Sequence, residues 1–206
     1  MNEIWKKNRE KLLARMEMFS AAVLFAGKAP IKRGDENYPF SPDRNFYYVT
    51  GIEREDCILF LAKTRTGVEE TLYIPRDNGV MAKWVGANMT AEEATAASGV
   101  KKIWLDMENR EWHGERTPAL RFAEKVHCHA PQMVIGDLYP LFSDMRLIKE
   151  EWELERMRKA MDITRLGIEA MMRTAKPNQM EYEIEAAYDY TLMVNGAREK
   201  AFRTIA

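Results

Sequence analysis

Three adjacent residues, His127, Cys128 and His129, have the side chains most typical of a metal site. If this stretch is a strand, side chains two residues apart point the same way, so His127 and His129 share one face. A zinc site, however, needs three or four protein ligands with further hydrogen bonds supporting them. The chain has one other histidine, His113, and no further residues at ligand spacing. We therefore favour an ordinary surface strand over a metal site.

A second group with possible chemistry is the run of glutamates at 150, 151, 153 and 155. Paired carboxylates can perform acid–base catalysis. They also suit a solvated helix N-terminus, where the helix dipole favours negative charge, and this interpretation explains the cluster better. The sequence has no phosphate-binding loop, no glycine-rich dinucleotide fingerprint and no Gly-x-Ser-x-Gly nucleophile motif.

Trp84, in the sequence Lys-Trp-Val-Gly ending at Gly86, has two interpretations. Because glycine lets a backbone or ligand approach closely, the tryptophan could form an exposed aromatic wall. Alternatively, it is a core residue of a short helix.

Size and charge limit the classes of partner. The 206 residues carry 31 basic and 32 acidic side chains, and no basic block exceeds two residues, so we expect no nucleic acid partner. No apolar run approaches the ~18 residues of a membrane span, and the N-terminus has no apolar signal core. Two cysteines do not make a disulfide framework. We therefore predict a cytoplasmic protein without a membrane partner, in which Cys57 is a buried thiol.

The elements that position these residues alternate between strand and helix patterns, which predicts an α/β fold. We predict a helix at 2–19, a turn at 64–67 and helices beginning at Thr90 and at Thr117-Pro118. The predicted strands lie at 21–26, 45–50, 57–62, 71–74 and 103–105, with weaker candidates at 126–130 and 133–135.

The stretch 34–51 combines an extended loop with a strand pattern. Pro39 and Pro42 disfavour helix in the residues before them, which predicts an ordered, extended loop at 34–44. Aromatic and β-branched residues then alternate over 45–50, as in a half-buried strand, and Gly51 ends the pattern. Taken alone, this describes a packed surface loop leading into an edge strand.

After residue 150 the pattern becomes helical. The first helix has apolar residues at helical spacing and is broken by Pro177. Asn178 is the predicted cap of a second helix, and Gly196 its C′ residue. Residues 201–206 are predicted to begin a strand. The apolar positions of the first helix are Leu154, Met157, Met161, Ile168 and Met171.

The stretch from Asp35 to Gly51 resembles the Asp-x-x-Tyr-Pro-Phe…Phe-x-Tyr-x-Thr-Gly segment of aminopeptidase P and prolidase, within the creatinase-like metallopeptidases. Residues 145–149 and 153–160 resemble that family's linker and first catalytic-domain helix. Residues 177–185 and 195–205 resemble its second helix and first catalytic strand. The resemblance implies an N-terminal domain with a mixed sheet flanked by helices at 1–140, a linker at 141–150, and the first two helices of a pita-bread metallopeptidase domain at 151–206.

The family releases an N-terminal residue that precedes proline, using two divalent metals that we expect to be manganese. Its ligands are two aspartates, a histidine and two glutamates, all of which follow the segment present here. The resemblance therefore implies that residues 1–206 hold no catalytic residue and no metal, and are inactive alone.

The resemblance also implies roles for Asp35, Tyr38 and Trp84, which would reach the substrate entrance of a neighbouring subunit. The expected partners are proline-containing peptides and further copies of the chain, as a dimer or tetramer. Two alternatives stay open: a prolidase, which cleaves only dipeptides, and a non-enzymatic peptidase-like binding module.

Overall fold

A computed structural model describes residues 3–34, 36–75, 99–108 and 116–201. The chain forms two compact units, Met1–Leu147 and Ile148–Ala206. The helix expected from Thr90 and the strand expected after Ala201 lie outside the described residues.

The described strands of the first unit are β1 Ser20–Phe25, β2 Ile31–Arg33, β3 Glu36–Asn37, β4 Ile58–Thr64, β5 Gly67–Tyr73, β6 Lys102–Leu105 and β7 Val134–Asp137. Five of them form one mixed sheet in the order β5-β4-β1-β6-β7. β1, β6 and β7 run parallel, whereas β4 is antiparallel to both of its neighbours. A separate pair, β2 and β3, forms a two-stranded hairpin.

These strands confirm the predicted α/β class and five of the predicted strands, with bounds that shift by a few residues. β4 is an interior strand whose first five residues are all buried, as its continuous apolar sequence predicted. The turn predicted at 64–67 joins β4 to β5.

Four described helices belong to the first unit: α1 Glu3–Arg15, α2 Arg44–Thr50, α3 Pro118–His129 and α4 Tyr139–Leu147. α3 begins at Thr117-Pro118 as predicted. Thr117 caps it, because its Oγ1 accepts a hydrogen bond from the Leu120 amide at 3.2 Å. Phe122, Ala123 and Val126 of α3 pack into the core cluster on one face of the sheet. α1 packs against α2 and α4, and α2 packs against β1. α4 covers most of the range predicted as a linker.

The strand predicted at 45–50 is wrong, because these residues form helix α2. Asp43 accepts hydrogen bonds from the amides of Asn45 and Phe46, and so caps the helix. Gly51 ends it in the left-handed conformation, with φ 66°. The alternation of residue types favours a strand, but the cap at Asp43 and the helix end at Gly51 outweigh it.

The strand predicted at 126–130 is also wrong, since α3 continues to His129. The helix predicted at 2–19 ends earlier, at Arg15, and Phe19 adopts φ 63° before β1 begins. Both errors concern where a helix ends.

The second unit contains helices α5 Glu151–Thr174 and α6 Glu181–Val194, which pack against each other. Gly167 of α5 allows this approach, because a Cβ there would lie 2.6 Å from the Tyr188 ring. Asn178 is not the cap that was predicted. The helix begins after Met180, whose amide donates to the Glu183 carboxylate at 2.8 Å. Gly196 has φ 88°, as predicted for a C′ residue. No helix in the described parts of the two units is long and apolar enough to cross a membrane.

Candidate functional site

The β2–β3 hairpin carries the first predicted site residues. All described residues of both strands are exposed. Ile31 pairs with Asn37, and Arg33 pairs with Glu36 after a shift in register. Lys32 adds an ion pair to Glu36, with Nζ 2.7 Å from Oε1. The hairpin is thus a solvent-exposed arm with polar residues on both strands.

Tyr38 directly follows this hairpin. Its amide donates a hydrogen bond to the Pro30 carbonyl at 2.9 Å, which extends the pairing by one step. The residue is 42% exposed, so its ring is available for contact with a ligand or another chain. Asp35 and Trp84, the two other predicted site residues, lie outside the described residues. Of the three predicted site residues, the described part of the chain thus contains Tyr38, in an exposed position.

The base of the arm is tied to the core. The Asp43 amide donates to the Ala26 carbonyl at 2.9 Å, just after β1, and the Asp43 carboxylate caps α2. The Asp56 amide also donates to the carbonyl of Gly27, the residue after Ala26, at 3.0 Å. Backbone hydrogen bonds therefore fix the residues at which the exposed arm joins the core.

Asn45, two residues after Asp43, is the centre of a polar network that sequence reasoning missed. Asn45 is 1% exposed. Its Nδ2 donates to Asp106 Oδ2 at 2.7 Å, and its Oδ1 accepts from Arg146 Nη1 at 2.8 Å. No local sequence signal marks this network, because Asp106 and Arg146 lie 61 and 101 residues from Asn45 along the chain.

A second polar contact at the same end of the sheet involves Asp137, the last residue of β7, which is the parallel neighbour of β6. Its carboxylate accepts from the amides of Met107 and Tyr139, at 3.1 and 2.9 Å. Asp106 likewise accepts from the amide of Glu108. These carboxylates at the carboxyl ends of two parallel strands are thus engaged in holding the turns that follow them.

The described residues do not fit a metal centre. Within 3–34, 36–75, 99–108 and 116–201, no group of three or more His, Cys, Asp or Glu side chains could hold an ion. His127 and His129 lie on a helix, where residues two apart do not share a face. The ring of His129 makes a 2.8 Å hydrogen bond to the Lys125 carbonyl.

Cys57 is not an activated nucleophile. Burial raises the pKa of its thiol, an effect partly offset by the positive charge of Arg54. A buried thiol that keeps its proton is a poor nucleophile, because the thiolate is the reactive form.

Comparison with known families matches both parts of the chain. Residues 5–110 match the family described as "Aminopeptidase P, N-terminal domain". Residues 155–206 match metallopeptidase family M24.

Individual proteins that are similar to this chain belong to the same families. A Xaa-Pro aminopeptidase from Haemophilus influenzae is 27% identical over 98% of this chain and 50% of its own length. A structure from Bacillus anthracis assigned as an aminopeptidase P is 38% identical, with a TM-score of 0.87, over 98% of this chain and 54% of that one.

Escherichia coli aminopeptidase P with the inhibitor Pro-Leu is 22% identical with a TM-score of 0.75, over 95% of this chain and 50% of that one, which supports the fold. The chain spans about half the length of these relatives. The match to the aminopeptidase P N-terminal domain family covers more than half of this chain. The chain therefore belongs to the aminopeptidase P family of metallopeptidases.

Proposed function

We propose that the full-length protein is a Xaa-Pro aminopeptidase, which releases the N-terminal residue of a peptide whose second residue is proline. The observation that carries the proposal is the joint match of the aminopeptidase P N-terminal model and the M24 model in one chain. Two relatives named Xaa-Pro aminopeptidase each align over 98% of this chain.

The family implies divalent metals, which we propose to be manganese. One relative has been studied as zinc-substituted E. coli aminopeptidase P in complex with product. The described residues offer no group of three or more His, Cys, Asp or Glu side chains that could act as metal ligands. The contribution that we propose for residues 1–206 is assembly and the shaping of a substrate entrance.

The proposed entrance residues are Asp35, Tyr38 and Trp84, acting on a neighbouring subunit of a homodimer or homotetramer. The exposed hairpin arm supports this role, because its base is fixed by backbone hydrogen bonds while Tyr38 stays accessible. A rigid aromatic ring on such an arm can orient a peptide without touching the metals.

We also propose a cytoplasmic location. Both cysteines are unpaired, with Cys57 buried and Cys128 exposed. A free exposed thiol is common in reducing compartments and uncommon in oxidising ones.

The function is tested by incubating the full-length protein, supplied with Mn²⁺, with the tripeptide Ala-Pro-Phe and with its analogue Ala-Ala-Phe. We expect release of free alanine from the first substrate and little from the second. No cleavage of either substrate by metal-loaded protein would support the binding-module alternative.

The entrance residues are tested separately, with Tyr38→Ala and Trp84→Ala in the full-length protein. We expect kcat/KM for Ala-Pro-Phe to fall by about tenfold or more, since a misplaced substrate loses much of its orientation. Bound metal and oligomeric state should be unchanged. Ile31→Ala, on the same exposed arm, is the matched control. Equal kcat/KM in all three variants would remove Tyr38 and Trp84 from the entrance, and a dissociated oligomer would assign them to the subunit interface.

A further inference from the structure

The Asn45 carboxamide joins two opposite charges that lie on different elements. Its nitrogen faces the Asp106 carboxylate after β6, and its oxygen faces the Arg146 guanidinium in α4. The amide orientation follows from the chemistry, because only the nitrogen can donate to a carboxylate and only the oxygen can accept from arginine. Both hydrogen bonds involve a charged group, which makes them stronger than bonds between neutral groups.

Two further contacts reach the same turn of α4. The Arg146 guanidinium lies over the Tyr48 ring, 5.7 Å from its centre. The Tyr48 hydroxyl points to the Met145 carbonyl at 3.5 Å. Met145 and Arg146 therefore both contact α2, through the side chains of Asn45 and Tyr48, which are buried.

The beginning of α4 is held differently. Leu138 and Phe142 are buried in the core, at 0% and 1% exposure, and the Phe142 ring meets Tyr48 edge-on at 6.4 Å. Apolar packing thus fixes the first two turns of α4, whereas the last turn combines the buried side chain of Met145 with the polar contacts to Asn45 and Tyr48. Leu147, the final residue of α4, is 72% exposed and is also the last residue of the first unit.

We propose that Asn45, Asp106 and Arg146 form a lock that holds the last turn of α4 closed and so fixes the point at which the chain leaves the first unit. Proteins open locally as well as globally, and a helix end held by few contacts is a unit that can open by itself. With the lock broken, residues 145–147 unwind while the sheet stays folded. The lock goes beyond the proposed peptidase function and does not depend on it.

The test is amide hydrogen exchange on the full-length protein without substrate, followed by mass spectrometry of peptides covering 143–150 and 20–25. Arg146→Gln removes the guanidinium and keeps a side chain of similar length. We expect exchange in 143–150 to accelerate by about tenfold or more, with no change in β1. Arg44→Gln is the matched control, because Arg44 is next to Asn45 but pairs with Glu108 at 2.8 Å. This substitution should leave the exchange rates of both peptides unchanged.

A second variant tests whether the residues act as one device. Asn45→Ala should accelerate exchange in 143–150 to the same extent as Arg146→Gln, within about twofold. The double variant should show the same acceleration, because either substitution alone already removes the shared interaction. Unchanged exchange in Arg146→Gln would overturn the proposal. So would an equal acceleration in β1, or additive effects in the combined variant.

Discussion

Gly51 lies against the indole of Trp5 so closely that a Cβ on Gly51 would come within 2.2 Å of the indole nitrogen. Trp5 is 8% exposed and its ring also meets Tyr47 edge-on at 5.2 Å. The residue that ends α2 is therefore also the residue against which α1 packs. Glycine is needed here for its left-handed φ of 66° and for the missing side chain.

The first prediction is that Gly51→Ala lowers the free energy of unfolding by about 3 kcal/mol. A left-handed alanine costs about 1–2 kcal/mol, and overpacking of the indole adds about 1–3 kcal/mol. Urea denaturation followed by tryptophan fluorescence measures the loss. Gly34→Ala is the control, because Gly34 has a similar φ of 57° but no atom near the position of a Cβ. If both variants lose the same free energy, the contact with Trp5 contributes nothing.

The second prediction concerns Lys63, whose ammonium group donates to the carbonyls of Leu13 and Met16 at 3.1 and 3.0 Å. These carbonyls lie at the C-terminal end of α1, where a positive charge is favourable. Lys63→Met should cost about 1.5 kcal/mol in urea denaturation, since hydrogen bonds to a charged donor are lost.

The control for this measurement is Lys28→Met. Lys28 pairs with Asp56 at 3.1 Å, but its side chain is 69% exposed, so its removal should cost less than about 0.5 kcal/mol. Equal losses for the two lysines would show that Lys63 does not cap α1.

The sequence predicted an element correctly where one pattern dominates, and incorrectly where strand and helix patterns compete. β1, β4 and β6 were predictable because their continuous apolar runs are too short for helices and match buried strands. α2 was not, since its aromatic and β-branched residues favour a strand by composition. Two residues that flank the pattern decide the outcome, because Asp43 caps the start of the helix and Gly51 ends it.

The candidate site was predictable only by residue type. Tyr38 was predicted from a family segment, and the structure adds its exposure and the hairpin that carries it. The Asn45 network was not predictable, because its three members come from residues 45, 106 and 146, and no local pattern connects them.

The third prediction is that one of the two thiols reacts with Ellman's reagent in the folded protein at pH 8. Cys128 is exposed, whereas Cys57 is 1% exposed and burial raises its pKa. Cys128→Ser should remove the native reaction and leave one thiol that reacts in denaturant. A native stoichiometry of two would contradict the burial of Cys57.

The same raised pKa predicts a pH dependence of stability. The folded chain keeps the Cys57 proton to higher pH than the unfolded chain, in which a thiol titrates near ~8.5. The stability associated with the protonated thiol is therefore complete below that value and is lost as pH rises through the raised pKa of the folded state. Denaturation of wild type and Cys57→Ser between pH 7 and 10 should show a steeper decline for the wild type, and parallel curves would contradict this.

The central claim is tested most directly by the substrate length that the full-length, Mn²⁺-loaded protein accepts. Release of alanine from Ala-Pro-Phe should be compared with cleavage of the dipeptide Ala-Pro, at equal enzyme concentration. A Xaa-Pro aminopeptidase should cleave the tripeptide between alanine and proline, with kcat/KM well above that for the dipeptide. Cleavage of Ala-Pro with no release of alanine from Ala-Pro-Phe would contradict the account and identify a prolidase instead.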